Sequence, residues 1–137
     1  SHVIPAMIRK FHEAKLNNSN VTLWGDGSPL RQFTFSEDLA NILMFMLDEY
    51  DNPAPINVGN SMEVSIKQVA EAVAKTVGFE GRILWDKTKP NGQARKCTNF
   101  NAFRELNAID GFTDFDEALD VTYDWFKKTY PNVRGIK

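Results

Sequence analysis

Near the start of the chain, apolar residues recur at i, i+3, i+4 and i+7: Ile4, Met7, Ile8 and Phe11. Arg9, Lys10, Glu13 and Lys15 take the other side. That period predicts an amphipathic helix, with Pro5 tolerated because it lies in the first turn. Asn17-Asn18-Ser19-Asn20 ends it. Val21-Thr22-Leu23-Trp24 then reads as a short strand, closed by the loop Gly25-Asp26-Gly27-Ser28-Pro29. Gln32-Phe33-Thr34-Phe35 alternates as a second strand. Ser36 is placed as an N-cap, and Glu37 and Asp38 stand where the helix dipole favours negative charge. The helix that follows, Leu39 to Glu49, is apolar almost all round, which predicts burial on more than one side.

Asp51-Asn52-Pro53 breaks that helix, and Ile56-Asn57-Val58-Gly59 reads as a short strand ending in a turn. Ser65-Ile66-Lys67-Gln68 matches a capping box. Ile66, Val69, Ala70, Val73, Ala74 and Val77 continue a helical stripe as far as Gly78. Ile83-Leu84-Trp85 is a further strand, and Asp86 to Lys96 a polar loop with little propensity for regular structure. Thr113 is expected to cap a last helix, with Phe115, Ala118, Leu119, Thr122, Trp125 and Phe126 on one face. Lys127 and Lys128 suit its C-terminus and Pro131 stops it. Alternating helices and strands make the class α/β or mixed α+β. No repeat, low-complexity tract or linker divides the sequence, so residues 1–137 are expected to form a single domain.

Charge narrows the partners. Lys and Arg number 16 and Asp and Glu 18, a net −2, which argues against a dedicated nucleic-acid binder. Hydrophobic residues at 42% suffice for a packed core. The longest apolar run, Ile42 to Leu47, falls far short of the ~18 residues a membrane span needs, so no membrane partner is expected. A single cysteine, Cys97, excludes an internal disulfide and a Cys/His metal cluster, and no metal site is expected. A reducing compartment, the cytoplasm, fits best. No signal peptide is visible, and the start Ser1-His2-Val3 lacks Met, so a processed or excised piece is expected.

Candidate chemistry is sparse. Gly25-Asp26-Gly27 lacks a third glycine, and a strand rather than a helix follows, so it reads as a plain turn and not a dinucleotide loop. No Walker motif, nucleophile elbow or HExxH zinc motif is present. The Asp86–Lys96 loop sets Lys87, Lys89, Arg95 and Lys96 against one acid, around a Pro90-Asn91-Gly92 turn. It is either a diphosphate receptor or an ordinary solvated loop. Trp24 is either a core residue or a stacking platform, and Arg31 either an anion fork or a surface residue. To this point the residues give a domain with a candidate anion site and no chosen substrate.

Several segments, taken in order, resemble the C-terminal half of GDP-L-fucose synthases, which are extended short-chain dehydrogenases/reductases. They are Ser1-His2-Val3-Ile4-Pro5-Ala6 with Arg9-Lys10-Phe11-His12-Glu13-Ala14, then Trp24-Gly25-Asp26-Gly27-Ser28-Pro29-Leu30-Arg31-Gln32-Phe33. Ser36-Glu37-Asp38-Leu39-Ala40, Ile56-Asn57-Val58-Gly59 and Thr88-Lys89-Pro90-Asn91-Gly92 with Arg95-Lys96 follow. The Arg-x-Phe, Asp-Leu-Ala and Asn-Val-Gly pieces recur across extended nucleotide-sugar epimerases and dehydratases. The His-Val-Ile-Pro start and the Lys-Pro-Asn-Gly loop are narrower.

The resemblance implies a substrate-binding C-terminal domain, with elements that complete a Rossmann domain absent from this chain. It implies a reaction on GDP-4-keto-6-deoxy-D-mannose, with epimerisation at C3 and C5 and then reduction at C4 by NADPH to give GDP-L-fucose. In the family a cysteine is the base and a histidine the acid, and that histidine matches His2. Trp24, Arg31 and Lys89 match positions that contact the GDP-sugar. A family arginine of the first helix is Lys10 here, which keeps the charge but loses the bidentate fork. Arg95 and Lys96 are further candidate diphosphate contacts. The glycine-rich cofactor motif, the Tyr-x-x-x-Lys pair and the catalytic cysteine lie upstream in the family, and Cys97 stands in the wrong segment to replace it. Cys97 is therefore expected to be a buried or inert thiol. The implied partners are a GDP-sugar and an N-terminal Rossmann half, with the chain alone monomeric and inactive. The alternatives are a related nucleotide-sugar epimerase/dehydratase domain and a non-catalytic nucleotide-sugar binding module.

Overall fold

The structure, a computed structural model, describes residues 2–133. The chain runs α1 (Val3–Leu16), β1 (Val21–Trp24), β2 (Leu30–Gln32), α2 (Ser36–Glu49), β3 (Glu63–Ser65), α3 (Ile66–Val77), β4 (Ile83–Asp86), β5 (Arg95–Lys96), α4 (Asn101–Glu105) and α5 (Phe115–Thr129). β1 and β4 pair in parallel, Val21 opposite Ile83 and Trp24 opposite Asp86. A second sheet has the order β3-β2-β5, with β2 antiparallel to β3 and parallel to β5. The architecture is mixed α/β, as the alternation predicts.

The core forms where helical stripes meet. Met7, Ile8, Phe11 and Ala14 of α1 pack with Val69, Ala70, Val73, Ala74 and Val77 of α3 and with Leu119, Tyr123 and Phe126 of α5. Phe11 is fully buried and meets Phe79 edge-on, with centroids 5.0 Å apart. The α3 boundaries follow from local chemistry. The Ser65 hydroxyl accepts from the Gln68 N–H at 3.1 Å, the Gln68 side chain accepts from the Ser65 N–H at 2.8 Å, and Gly78 closes the helix at φ 68°.

Several expectations are corrected. The second strand is Leu30–Gln32, because Phe33 leaves the sheet for the core and tilts against Phe115. Phe35, not Ser36, is the N-cap of α2. Asp114, not Thr113, caps α5, accepting from the N–H groups of Asp116 and Glu117. Thr113 instead donates its N–H and hydroxyl to Asp38, at 3.0 and 2.7 Å. That pairing lets Asp38 be buried at the start of α2. On α5 the inward position is Tyr123 and not Trp125, which is 49% exposed. Ile56–Gly59 has no strand partner among the described residues. Lys96 and Arg95, expected in loop, pair with β2. Cys97 is exposed, not buried. The largest departure is α2, which buries only Asp38 and Ile42 and leaves Leu43, Met44 and Leu47 exposed.

Candidate nucleotide-binding cleft

Strand alternation decides where Trp24 points. In β1, Val21 and Leu23 face the core while Thr22 and Trp24 face outward, and Trp24 is 66% exposed. The core alternative for Trp24 is thereby set aside. Its indole stands beside a cleft of about 470 Å³ lined from five segments, Ile66 at the start of α3 among them. Val3, Met7 and Lys10 come from α1, Leu23 and Trp24 from β1, Arg31 from β2, and Pro90 and Asn91 from the loop between β4 and β5. Lys89 enters from that loop, its Nζ 6.0 Å from the centroid of the Trp24 ring. That is the outer reach of a cation–π contact.

Each cation is held differently. The Lys10 ammonium donates to the Thr22 carbonyl at 3.1 Å, which draws the side chain along the α1–β1 seam. Arg31 is half-buried and one of its Nη atoms donates to its own neighbour's carbonyl, Leu30, at 2.6 Å. A guanidinium has five N–H donors, so most of this one stays available to an anion. Arg95 is committed elsewhere. Its Nε and Nη2 each lie 2.7 Å from Glu63, a bidentate pair on the exposed face of the second sheet. The hydrogen bonds from Arg95 hold the Glu63 carboxyl below its ordinary pKa, and the same bonds raise that of Arg95. Lys96 is exposed on β5, and neither it nor Arg95 lines the cleft. His2 is the exposed N-cap residue of α1 and its carbonyl accepts from the Ala6 N–H. It lies one residue from Val3 at the cleft margin but does not line it. Thus Lys10, Trp24 and Arg31 line one cleft, Lys89 stands at its margin beside Trp24, and His2, Arg95 and Lys96 are not brought in.

Sequence reasoning missed Asn91. Its side-chain oxygen accepts from the Asp26 N–H at 2.8 Å, pinning the β4–β5 loop to the turn after β1. That turn needs its glycines, with φ 80° at Gly25 and 77° at Gly27. A Cβ on Gly25 would stand 2.0 Å from the Asn91 oxygen. Hydrogen bonds from Ser28, with a smaller one from Asn91, keep the Asp26 carboxyl below its ordinary pKa. The turn delivers the chain into β2, not into a helix. Gly25 and Gly27 therefore do not fit a dinucleotide's pyrophosphate, which needs N–H groups at a helix start. Among the described residues, no helix is long and apolar enough to cross a membrane, and no cluster of three or more His, Cys, Asp or Glu offers a metal site.

Relatives agree with this architecture. The NAD dependent epimerase/dehydratase family matches residues 1–59. GDP-L-fucose synthase 1 of Arabidopsis thaliana is 43% identical over 136 residues, 96% of this chain and 41% of that protein. Over nearly all of its own length the chain is similar to such synthases. The GDP-L-fucose synthase of Escherichia coli is 34% identical across 98% of the chain and 45% of its own length. The crystal structure of a GDP-L-fucose synthetase from Naegleria fowleri bound to NADP superposes with a TM-score of 0.92 at 33% identity, covering 98% of this chain and 42% of that one. The chain spans about two fifths of the length of these relatives, in their C-terminal part.

Proposed function

We propose that this chain is the GDP-sugar-binding part of an NADP-dependent epimerase/reductase of the GDP-L-fucose synthase kind, acting on GDP-4-keto-6-deoxy-mannose. The observation that carries the reading is the convergence of Lys10, Trp24, Arg31 and Lys89, from four separate segments, around one cleft. A nucleoside diphosphate matches that set, because Arg31, Lys10 and Lys89 oppose its negative charge and the outward Trp24 offers a flat apolar surface. The likeness to GDP-L-fucose synthases over nearly the whole chain supports GDP in particular.

In this reading the cofactor is held by a separate Rossmann half joined to this chain. The exposed apolar stripe of α2 supports it, since such a face is suited to be covered. NADPH bound there supplies a hydride. This chain's own contribution is to bind and orient the sugar nucleotide, with His2 delivering a proton during epimerisation.

Calorimetric titration of GDP into the chain should show binding that weakens as salt rises, because the cations are exposed and screened. Lys89→Ala should cost about 1–3 kcal/mol of affinity if the ammonium bonds a phosphate oxygen. Identical affinities for wild type and variant remove Lys89 from the site, and no binding at all overturns the reading.

A further inference from the structure

The loop between β4 and β5 runs from Lys87 to Ala94 and carries Lys89 over Trp24. Backbone hydrogen bonds fix its two ends. The Gly25 N–H donates to the Asp86 carbonyl and the Leu30 N–H to the Ala94 carbonyl, both at 2.9 Å. Between those ends every residue is exposed, and Asn91 is the residue that reaches across to the turn, its side-chain oxygen accepting from the Asp26 N–H.

We propose that Asn91 is a positioning residue, a latch that fixes the β4–β5 loop on the β1 turn and so holds Lys89 and Trp24 at one mouth of the cleft. The link from Asn91 to Lys89 is stiff. Pro90 between them has a fixed φ, and a residue before proline is confined to extended conformations. Gly92, at φ 74°, turns the chain back toward β5 immediately after the latch. Anchoring Asn91 therefore also anchors the backbone of Lys89, two residues away. At the other end, Asp26 is two residues past Trp24, and Gly25 lies so close to Asn91 that only a hydrogen fits between them. The turn and the loop thus move as one body or separate as two. For the nucleotide, this rests on the GDP reading given above. A released loop would have to be ordered when the diphosphate binds, and that ordering lowers affinity.

The decisive experiment compares wild type with Asn91→Ala, Lys89→Ala and the double variant. Without ligand, hydrogen exchange at the Asp26 amide should quicken by about tenfold in Asn91→Ala as local opening becomes easier. The Trp24 indole resonance, assigned with Trp24→Phe, should shift. With GDP, Asn91→Ala should weaken binding by about fivefold, the equivalent of one hydrogen bond. In the Lys89→Ala background the same change should have little effect, since the residue being positioned is gone. Equal losses in both backgrounds overturn the positioning role. Unchanged Asp26 exchange with an unchanged Trp24 resonance overturns the latch itself. A wild type that does not bind GDP sinks the nucleotide reading, while the two ligand-free measurements still decide the latch.

Discussion

His12 sits between two helices, and its surroundings give it a measurable role. Its Nδ1 lies 2.9 Å from the Tyr123 hydroxyl, and the rings of Phe126 and Tyr130 meet it edge-on at 5.3 and 4.7 Å. Partial burial first, then the charge of Lys15 on its own helix, pushes the imidazole below its ordinary pKa, with Lys127 of α5 adding to this and Glu13 opposing. The folded state therefore binds fewer protons than the unfolded chain near neutrality, and stability rises with pH. The contribution is present above the unfolded value of 6.5 and is lost as pH falls from there through the lower folded value. Urea unfolding at about pH 7.5 and about pH 5.5 should show the lower midpoint in acid. His12→Gln should flatten that difference. An identical pH response in the variant would assign it to other groups.

At the scale of elements, α1 and α3 are legible in sequence because the residues their stripes present are buried by one another. α2 is not. Its apolar positions predict burial, yet Leu43, Met44 and Leu47 are 50%, 61% and 79% exposed. A hydrophobic pattern reports that a face needs covering, not what covers it, and here nothing among the described residues does. Ile56–Gly59 is not a strand because a strand exists only with a partner, and it has none among the described residues. The caps divide similarly. Ser65 is read correctly because its box closes within four residues, whereas Thr113 is drawn off by Asp38, 75 positions away, and Asp114 caps instead. In the cleft, the outward face of Trp24 follows from β1 alternation alone. Asn91 has no local signal, because its partner is 65 positions distant. The state of α2 is open to measurement. Leu47→Glu should change the stability of this chain by no more than about 0.5 kcal/mol, as surface substitutions do. Phe11→Ala in the core should cost about 3–5 kcal/mol. Marked unfolding by Leu47→Glu in urea denaturation would show that α2 is packed after all.

For the whole molecule, the proposed function divides the labour between this chain and a cofactor-binding half, and that division is testable on each part alone. The Gly25–Gly27 turn feeds β2 and not a helix, so pure chain mixed with NADPH and the keto-sugar nucleotide should leave the nicotinamide absorbance unchanged. Steady NADPH consumption would overturn the division. On that reading the role proposed for His2 is tested with both halves present. It stands at the N-cap of α1, next to Val3 at the cleft margin, and its ring is exposed with no side-chain capping bond of its own. Inverting a carbon beside a ketone needs a base on one face and an acid on the other, and an imidazole can deliver a proton near neutral pH. Glutamine in place of His2 keeps size and hydrogen bonding but removes the transferable proton. Epimerisation should then slow by about 10²–10⁴-fold, the range that general acid catalysis supplies. Direct reduction of the unepimerised ketone should persist and give a product of different stereochemistry, separable by chromatography. If the Gln variant forms GDP-L-fucose at the wild-type rate, His2 does no more than start a helix.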